Sequence, residues 1–160
     1  MAILKRANFL VFTTPIFITV LSIAGCAFAP EKCKTIQNRV VILDWDDNIP
    51  KSAILYRYRK DSNFKDLQQV SVNNFQATID SSKKNKTPTL LLKFLDYSGF
   101  ALDSDYKLIV DNKIEYKISD IEPGDLAKGC GIPAGKVNQC KINYNNSFSF
   151  RKKCSVDITH

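Results

Sequence analysis

The stretch YKLIVDNKIEYKIS, residues 106–119, decides the fold class of this 160-residue chain. Before its centre, apolar residues occupy every second position from Tyr106 to Val110, and after it the apolar residues from Ile114 to Ile118 alternate with polar ones, which is the pattern of strands with a buried face. The central pair Asp111-Asn112 tolerates the positive φ angles that a two-residue hairpin turn requires. The apolar positions are Tyr106, Leu108, Val110, Ile114, Tyr116 and Ile118. The stretch therefore predicts a β-hairpin.

Further strand patterns flank this hairpin on both sides. Arg39–Trp45 and Thr89–Leu95 are continuous apolar runs, as expected for strands covered on both faces. A single turn near Phe64–Gln69 is the best candidate for a helix. With turn signals between short strands, the chain predicts an all-β fold, an antiparallel β-sandwich of about eight or nine strands. The other predicted strands are Ala53–Arg59, Val70–Val72, Phe75–Ile79, a hairpin of Ile142–Tyr144 and Phe148–Phe150, and Val156–Ile158.

The beginning of the chain has the layout of a secretory signal. Lys5 and Arg6 form a basic start, and an apolar stretch with small residues at its end follows over 9–25. A helix that spans a membrane needs about 20 mostly apolar residues, and this stretch is shorter and contains Pro15. Export is therefore expected, with a membrane-spanning anchor as the alternative.

The end of the apolar stretch, Ile23-Ala24-Gly25-Cys26, resembles the lipobox of bacterial lipoproteins. The resemblance is confined to the signal region, and it implies that Cys26 carries the lipid and begins the mature protein. Because Ala27 rather than aspartate follows, it also implies the outer membrane, with the chain facing the periplasm or the cell surface. The alternative is ordinary cleavage after Ala27-Phe28-Ala29, where the fixed φ of Pro30 suits a protease poorly.

Cleavage before Cys26 gives the predicted organisation of the chain. One domain of ordinary size is expected after the signal, since the remaining length can bury a real core. The three predicted parts are a signal peptide at 1–25, a lipidated tether at 26–37 and a β-sandwich domain at 38–160.

The charge of the chain is basic but scattered. The formal net charge is +7, and it falls to +5 when the two basic residues of the signal are removed. The densest basic runs, 83–86 and 151–153, are expected to be solvated, with contact to anionic headgroups or an acidic partner as the alternative. Nucleic acid is not an expected partner, because no basic stripe is interleaved with aromatic residues.

Four cysteines remain after the signal, and an even number in an exported chain predicts two disulfides. One pairing joins Cys140 to Cys154 across a hairpin and Cys33 to Cys130. The other joins Cys130 to Cys140 and Cys33 to Cys154, and it is favoured because the loop between Cys130 and Cys140 looks irregular. Zinc is not expected, because there is no C-x-x-C pair and His160 is the single histidine.

No catalytic set emerges from the residue types. The histidine is the last residue, where chains commonly fray, so Ser-His-Asp and Cys-His schemes lack a base. Two groups of aspartates, Asp44, Asp46 and Asp47, and then Asp103 and Asp105, could offer oxygen ligands to Ca²⁺ or paired carboxylates. Aspartate more commonly starts turns by bonding its own backbone. We therefore expect no enzyme, no cofactor and no metal site.

Trp45 is the only tryptophan, and it lies at a predicted strand end beside three aspartates. We expect its ring to pack over one end of the sandwich with the indole N–H on a nearby carboxylate. The alternative is an exposed ring that anchors a partner.

Three aromatic residues surround the Ser98-Gly99 turn, namely Tyr97, Phe100 and Tyr106. If 97–105 forms an exposed loop, these rings make a partner-binding tip. The expected function is a membrane-anchored, non-catalytic protein-binding module. Its most specific form is an inhibitor or immunity protein against a periplasmic toxin or enzyme. The alternatives are a structural lipoprotein subunit of a secretion or surface apparatus, and a hydrolase that uses carboxylates.

Overall fold

The fold is seen in a computed structural model that describes residues 31–81, 87–125, 130, 134–142 and 146–158. These residues form strands and one short 3-10 turn, Lys152–Cys154, so the all-β prediction is confirmed. The described residues form thirteen strands, more than the predicted eight or nine, and three of the thirteen have only two residues. They are β1 (Thr35–Ile36), β2 (Arg39–Leu43), β3 (Ala53–Arg59), β4 (Leu67–Val72), β5 (Phe75–Asp80), β6 (Thr89–Phe94), β7 (Phe100–Ala101), β8 (Ser104–Val110), β9 (Ile114–Glu122), β10 (Ala134–Val137), β11 (Cys140–Ile142), β12 (Phe148–Arg151) and β13 (Val156–Asp157).

Two main sheets pack face to face. The seven-stranded sheet has the order β11-β10-β9-β8-β3-β4, with β13 beside β9, and the four-stranded sheet has the order β12-β2-β6-β5. Rings from the two sheets meet between them: Tyr116 of β9 lies 4.8 Å from Phe150 of β12, and Tyr106 of β8 lies 5.3 Å from Phe148. These rings form an aromatic layer between the sheets, within a core that is otherwise mostly aliphatic, and the short pair β1–β7 lies outside both ladders.

The predicted hairpin at 106–119 is confirmed as β8 and β9. Asp111 and Asn112 have φ angles of 51° and 54°, and the Lys113 N–H donates to the Val110 carbonyl at 3.0 Å. Short polar side chains tolerate this left-handed conformation best. The turn chemistry read from the sequence is thus the chemistry that closes the hairpin.

The second predicted hairpin, across 142–150, is wrong. β12 pairs in parallel with β2, with Phe148 opposite Val40 and Phe150 opposite Ile42. Both phenylalanines are buried, and they reach the core from the four-stranded sheet, whereas β11 belongs to the other sheet. Two segments that are neighbours in sequence therefore lie in opposite layers.

The predicted helical turn near Phe64–Gln69 is also wrong, since β4 begins at Leu67. The apolar runs β2 and β6 do form strands, but only one face of each is fully covered. Val40 and Leu92 are buried, whereas Val41 and Leu91 on the opposite face are half-buried. A continuous apolar run therefore did not require two covered faces here.

Two disulfides are present, and the pairing is the one that the sequence analysis did not favour. Cys33 is bonded to Cys130 with a Cα–Cα distance of 5.5 Å, and Cys140 is bonded to Cys154 with a distance of 5.7 Å. The favoured pairing is wrong because β10 and β11 form a regular hairpin within 134–142. That segment is held by sheet pairing, so it does not need a disulfide of its own.

The domain begins earlier than the predicted boundary at residue 38. Cys33 and Ile36 are buried in the core, and the Cys33 N–H donates to the Gly124 carbonyl at 3.0 Å. The last part of the predicted tether, 26–37, is therefore part of the fold. The predicted signal at 1–25 and the lipidated Cys26 lie outside the described residues.

Candidate functional site

The predicted partner-binding tip is part of the core. Tyr97 is 5% exposed, and Phe100 and Tyr106 are fully buried. Phe100 stacks on Phe148 with ring centroids 4.9 Å apart and meets the edge of Tyr97 at 5.5 Å. The prediction of an exposed aromatic loop at 97–105 is wrong, because these rings face inward from β7, β8 and the turn before them.

The hydroxyls of Tyr97 and Tyr106 are buried and stay protonated. Burial, with a smaller contribution from the Asp96 charge, raises the pKa of Tyr97 to about 12. Burial also raises the pKa of Tyr106, whose hydroxyl donates to the Ala101 carbonyl at 3.0 Å. Both phenols are therefore neutral at physiological pH. Among the described residues, none is placed to bond the buried Tyr97 hydroxyl.

Trp45 packs at one end of the sandwich, as predicted, and is 1% exposed. Its indole N–H donates to the Asn48 carbonyl at 3.0 Å, a backbone group rather than the predicted carboxylate. The Lys152 ammonium lies 5.4 Å from the centre of the ring and forms ion pairs with Asp46 and Asp47. Asp46 and Asp47 therefore hold a lysine of the chain's own 3-10 turn, whereas Asp44 pairs with Arg151 at 3.6 Å.

This acidic group is poorly suited to acid catalysis. The hydrogen bond from Lys152 is the largest of the effects that lower the pKa of Asp46, whereas a general acid needs a raised pKa. The groove beside it, about 690 Å³, is open and lined by charges of both signs, including Asp47, Lys51 and Lys113. Within the described residues, no group of three or more histidine, cysteine or acidic side chains is placed to hold a metal ion.

The second predicted aspartate pair is divided by the fold. Asp103 is 85% exposed in its side chain, whereas Asp105 is buried and accepts the Asp61 N–H at 3.1 Å. Burial raises the pKa of the Asp105 carboxyl. Asp105 lies opposite Tyr58 in the β3–β8 ladder. One carboxyl is therefore in solvent and the other is buried within the sheet, so the two do not converge on one ligand.

A smaller groove lies near β1 and has a volume of about 520 Å³. Basic residues line it, but several of them are held by protein groups. Lys32 pairs with Asp125, Arg57 donates to the Ser104 hydroxyl at 2.9 Å, and Lys60 donates to a backbone carbonyl at 2.8 Å. These three cations therefore bind groups of the protein itself at this end of the sandwich.

The solvent-facing side of the seven-stranded sheet carries a contiguous apolar surface. On β4, Val70 and Val72 are 39% and 57% exposed. Val72 lies opposite Ile54 and Val70 opposite Tyr56 on β3, and Ile54 is also opposite Ile109 on β8. The β3 and β8 members are half-buried. We call these five residues the outer patch.

Aromatic residues and a lysine border the outer patch at one end. The Phe64 ring meets the edge of Tyr58 at 5.5 Å, and Tyr58 lies 6.3 Å from Tyr56. Phe64 has a φ of 59°, a costly conformation for a bulky residue, and it lets the β3–β4 loop fold back over the sheet. The Lys107 ammonium lies 4.6 Å from the Tyr56 ring, a cation–π distance.

The outer patch is not among the predicted sites, although the sequence of β3 contains a signal for it. Ala53 and Leu55 are buried on one face of this strand, yet Ile54 and Tyr56 make the other face apolar as well. A strand that is apolar on both faces has either a second covering layer or an exposed interaction surface. The structure leaves this second face half-exposed.

Comparison with known proteins supplies no relative. No protein-family model matches the chain, and no curated protein or solved structure matches it either. Among the described residues, no helix has the length and apolar character needed to cross a membrane. The function is therefore inferred from the residues and their geometry.

Proposed function

We propose that this chain is a bacterial envelope lipoprotein, lipidated at Cys26, that acts as a non-catalytic protein-binding module. Its lipid anchors it to the outer membrane, and its partner is a protein of the periplasm or cell surface. The most specific form of the proposal is an inhibitor or immunity protein that occupies a toxin or enzyme. The signal region supports the anchor, and the outer patch supports the binding.

The exposed apolar surface is the observation that carries the binding proposal. Contiguous apolar patches on a solvent-exposed face commonly mark sites of protein association, and tyrosine is enriched in such interfaces. Tyr56 contributes the aromatic ring of the outer patch, with Lys107 beside it. A partner with an apolar centre and an acidic rim complements this arrangement.

Two substitutions test the binding surface while preserving the fold. Tyr56→Ser removes the aromatic ring of the outer patch, and Val156→Ser is a matched control at an exposed residue of β13. Full-length chains are used to capture envelope proteins from membranes of the source cell. We expect a stoichiometric protein to be retained by the wild type and the control and lost with Tyr56→Ser. Equal retention by all three chains would show that the outer patch is not the binding surface.

The anchor has a separate test. Cys26→Ala should abolish incorporation of radiolabelled palmitate and leave the precursor uncleaved by the lipoprotein signal peptidase. Normal maturation of this variant to a soluble form would show that the signal is cleaved elsewhere, for example after Ala29.

The capture experiment also distinguishes the two forms of the proposal. If the wild-type chain captured a multi-protein secretion assembly and not a single toxin or enzyme, the inhibitor form would be contradicted.

A further inference from the structure

The edges of the two main sheets are not equivalent. In the described part of the chain, the outermost strands are β11 and β4 in the seven-stranded sheet and β12 and β5 in the four-stranded sheet. Three of them carry a charged residue: Lys141 on β11, Arg151 on β12 and Asp80 on β5. β4, with the sequence LQQVSV, carries none and contains no proline. Charges and prolines are the usual devices that keep an edge strand from pairing with another chain.

The backbone of β4 presents hydrogen-bonding groups at this edge. In an antiparallel ladder, residue pairs that exchange hydrogen bonds alternate with pairs that do not. The Asn73 N–H donates to the Ala53 carbonyl at 2.9 Å, so the alternation places the bonding pairs at Asn73 and Ser71. Val70 and Val72 are the intervening residues, and their N–H and C=O groups point away from β3 toward the open edge.

The same two residues carry the exposed side chains of the strand. Val70 and Val72 share the outer face, and β-branched residues are favoured in strand pairing. Near the start of β4, Arg59 and Asp66 neutralise each other through an ion pair at 2.9 Å. The strand is therefore neutral and β-branched, an Arg59–Asp66 ion pair lies at its start, and among the described residues it pairs with no strand other than β3.

We propose that β4 pairs antiparallel with β4 of a second copy of this chain across a two-fold axis at Ser71. In this register Val70 of one copy lies opposite Val72 of the other, twice by symmetry. Both are residues whose N–H and C=O groups face the edge, so the two pairs exchange four backbone hydrogen bonds. The seven-stranded sheets of the two copies become one continuous sheet.

Charge favours a second copy at β4 over the other edges. A two-fold axis near a charged strand residue brings that residue close to its own copy, and like charges opposite each other destabilise a ladder. Every side chain of β4 is neutral. The two outer patches also adjoin across the axis, which extends the surface that a partner meets. This dimer goes beyond the proposed partner binding and does not depend on it.

The oligomeric state tests the dimer. The full chain is purified in a non-ionic detergent, and its protein mass is measured by size-exclusion chromatography with light scattering over a range of concentrations. We expect a two-chain mass that dissociates on dilution. Val70→Glu, and separately Val72→Lys, should each weaken association at least about tenfold, whereas Val156→Lys, on an exposed residue of β13, should leave it unchanged.

The double variant Val70→Glu/Val72→Lys tests the register. With the axis at Ser71, each glutamate lies opposite a lysine of the second copy, and association should recover toward the wild-type value. A one-chain mass for the wild type at every concentration would overturn the dimer. A dimer that survives Val70→Glu would overturn the assignment to β4, and failure of the double variant to recover would overturn the register. Partner capture through Tyr56 is a separate readout, so either proposal can fail alone.

Discussion

Replacing Phe100 with alanine distinguishes a core residue from a binding residue. The ring is fully buried and lies between 4.9 and 6.2 Å, centroid to centroid, from four other aromatic rings. Truncating a buried phenylalanine costs about 3–5 kcal/mol, and each favourable ring pair adds about 0.5–1.5 kcal/mol beyond its buried area. Because these contributions overlap, we expect Phe100→Ala to lower the free energy of unfolding by about 4 kcal/mol.

Equilibrium unfolding in urea measures this loss with the disulfides intact. Trp45 is the only tryptophan and is buried, so its fluorescence reports the transition. With a slope of about 2 kcal/mol per molar urea, the midpoint should fall by about 2 M. Leu95→Ala is the matched control, because Leu95 is 49% exposed and its truncation should change stability by less than about 0.5 kcal/mol.

Two outcomes would refute the reasoning about Phe100. A loss below about 1 kcal/mol would mean that the ring is not held in the core. If Phe100→Ala lost no more stability than the Leu95 control and also failed to retain a captured partner, Phe100 would be an exposed binding residue, as the sequence suggested. A large loss confined to Phe100→Ala would establish the aromatic layer as a major stabilising element.

Three further substitutions test separate features of the fold by the same unfolding assay. Asn138→Ala should cost about 3 kcal/mol, because the side chain makes three hydrogen bonds to the backbone of β9 and Cys154 and the residue has a φ of 50°; a cost under about 1 kcal/mol would contradict this. Gly99→Ala should cost about 2 kcal/mol, because a Cβ there would lie 2.7 Å from the Ile36 carbonyl and force β1 away from β7; an unchanged midpoint would mean that the strands are not in contact. Burial raises the pKa of Asp105, so the folded state holds this proton more tightly than the unfolded chain does. Its stabilising contribution is present below the unfolded pKa and is lost as the pH rises through the folded pKa. Asp105→Asn should therefore raise stability at neutral pH and flatten this part of the stability–pH curve, and a variant that is less stable at neutral pH would reverse the assigned sign.

Local patterns predicted the strands but not all of their partners. The apolar residues at every second position around Asp111-Asn112 predicted both strands and the turn, because a hairpin is closed by residues that are adjacent in sequence. The same logic failed at Phe148, where β12 pairs in parallel with β2 from the other end of the chain. Parallel pairing depends on contacts between distant segments, and no local pattern records it.

The binding surface shows the same division between local pattern and tertiary packing. The cluster of rings at 97–106 suggested an exposed tip, since aromatic residues near a Ser-Gly turn fit either a core or an interface. Only the packing of β7 and β8 against β12 decided that they are core. The outer patch could not be predicted from the sequence, because it depends on the lateral strand order β4-β3-β8. That order brings together residues that are far apart in the sequence, such as Val72 and Ile109.

The sequence by itself determined the strand content, the hairpin at 106–119 and the cysteines that are available for disulfides, because periodicity, turn chemistry and residue count are local properties. The tertiary structure decided the disulfide partners, the burial of Phe100 and the open edge at β4. Each of these depends on which distant strands lie side by side. In a sandwich that order is set by how two sheets share one core, and only the folded chain contains that information.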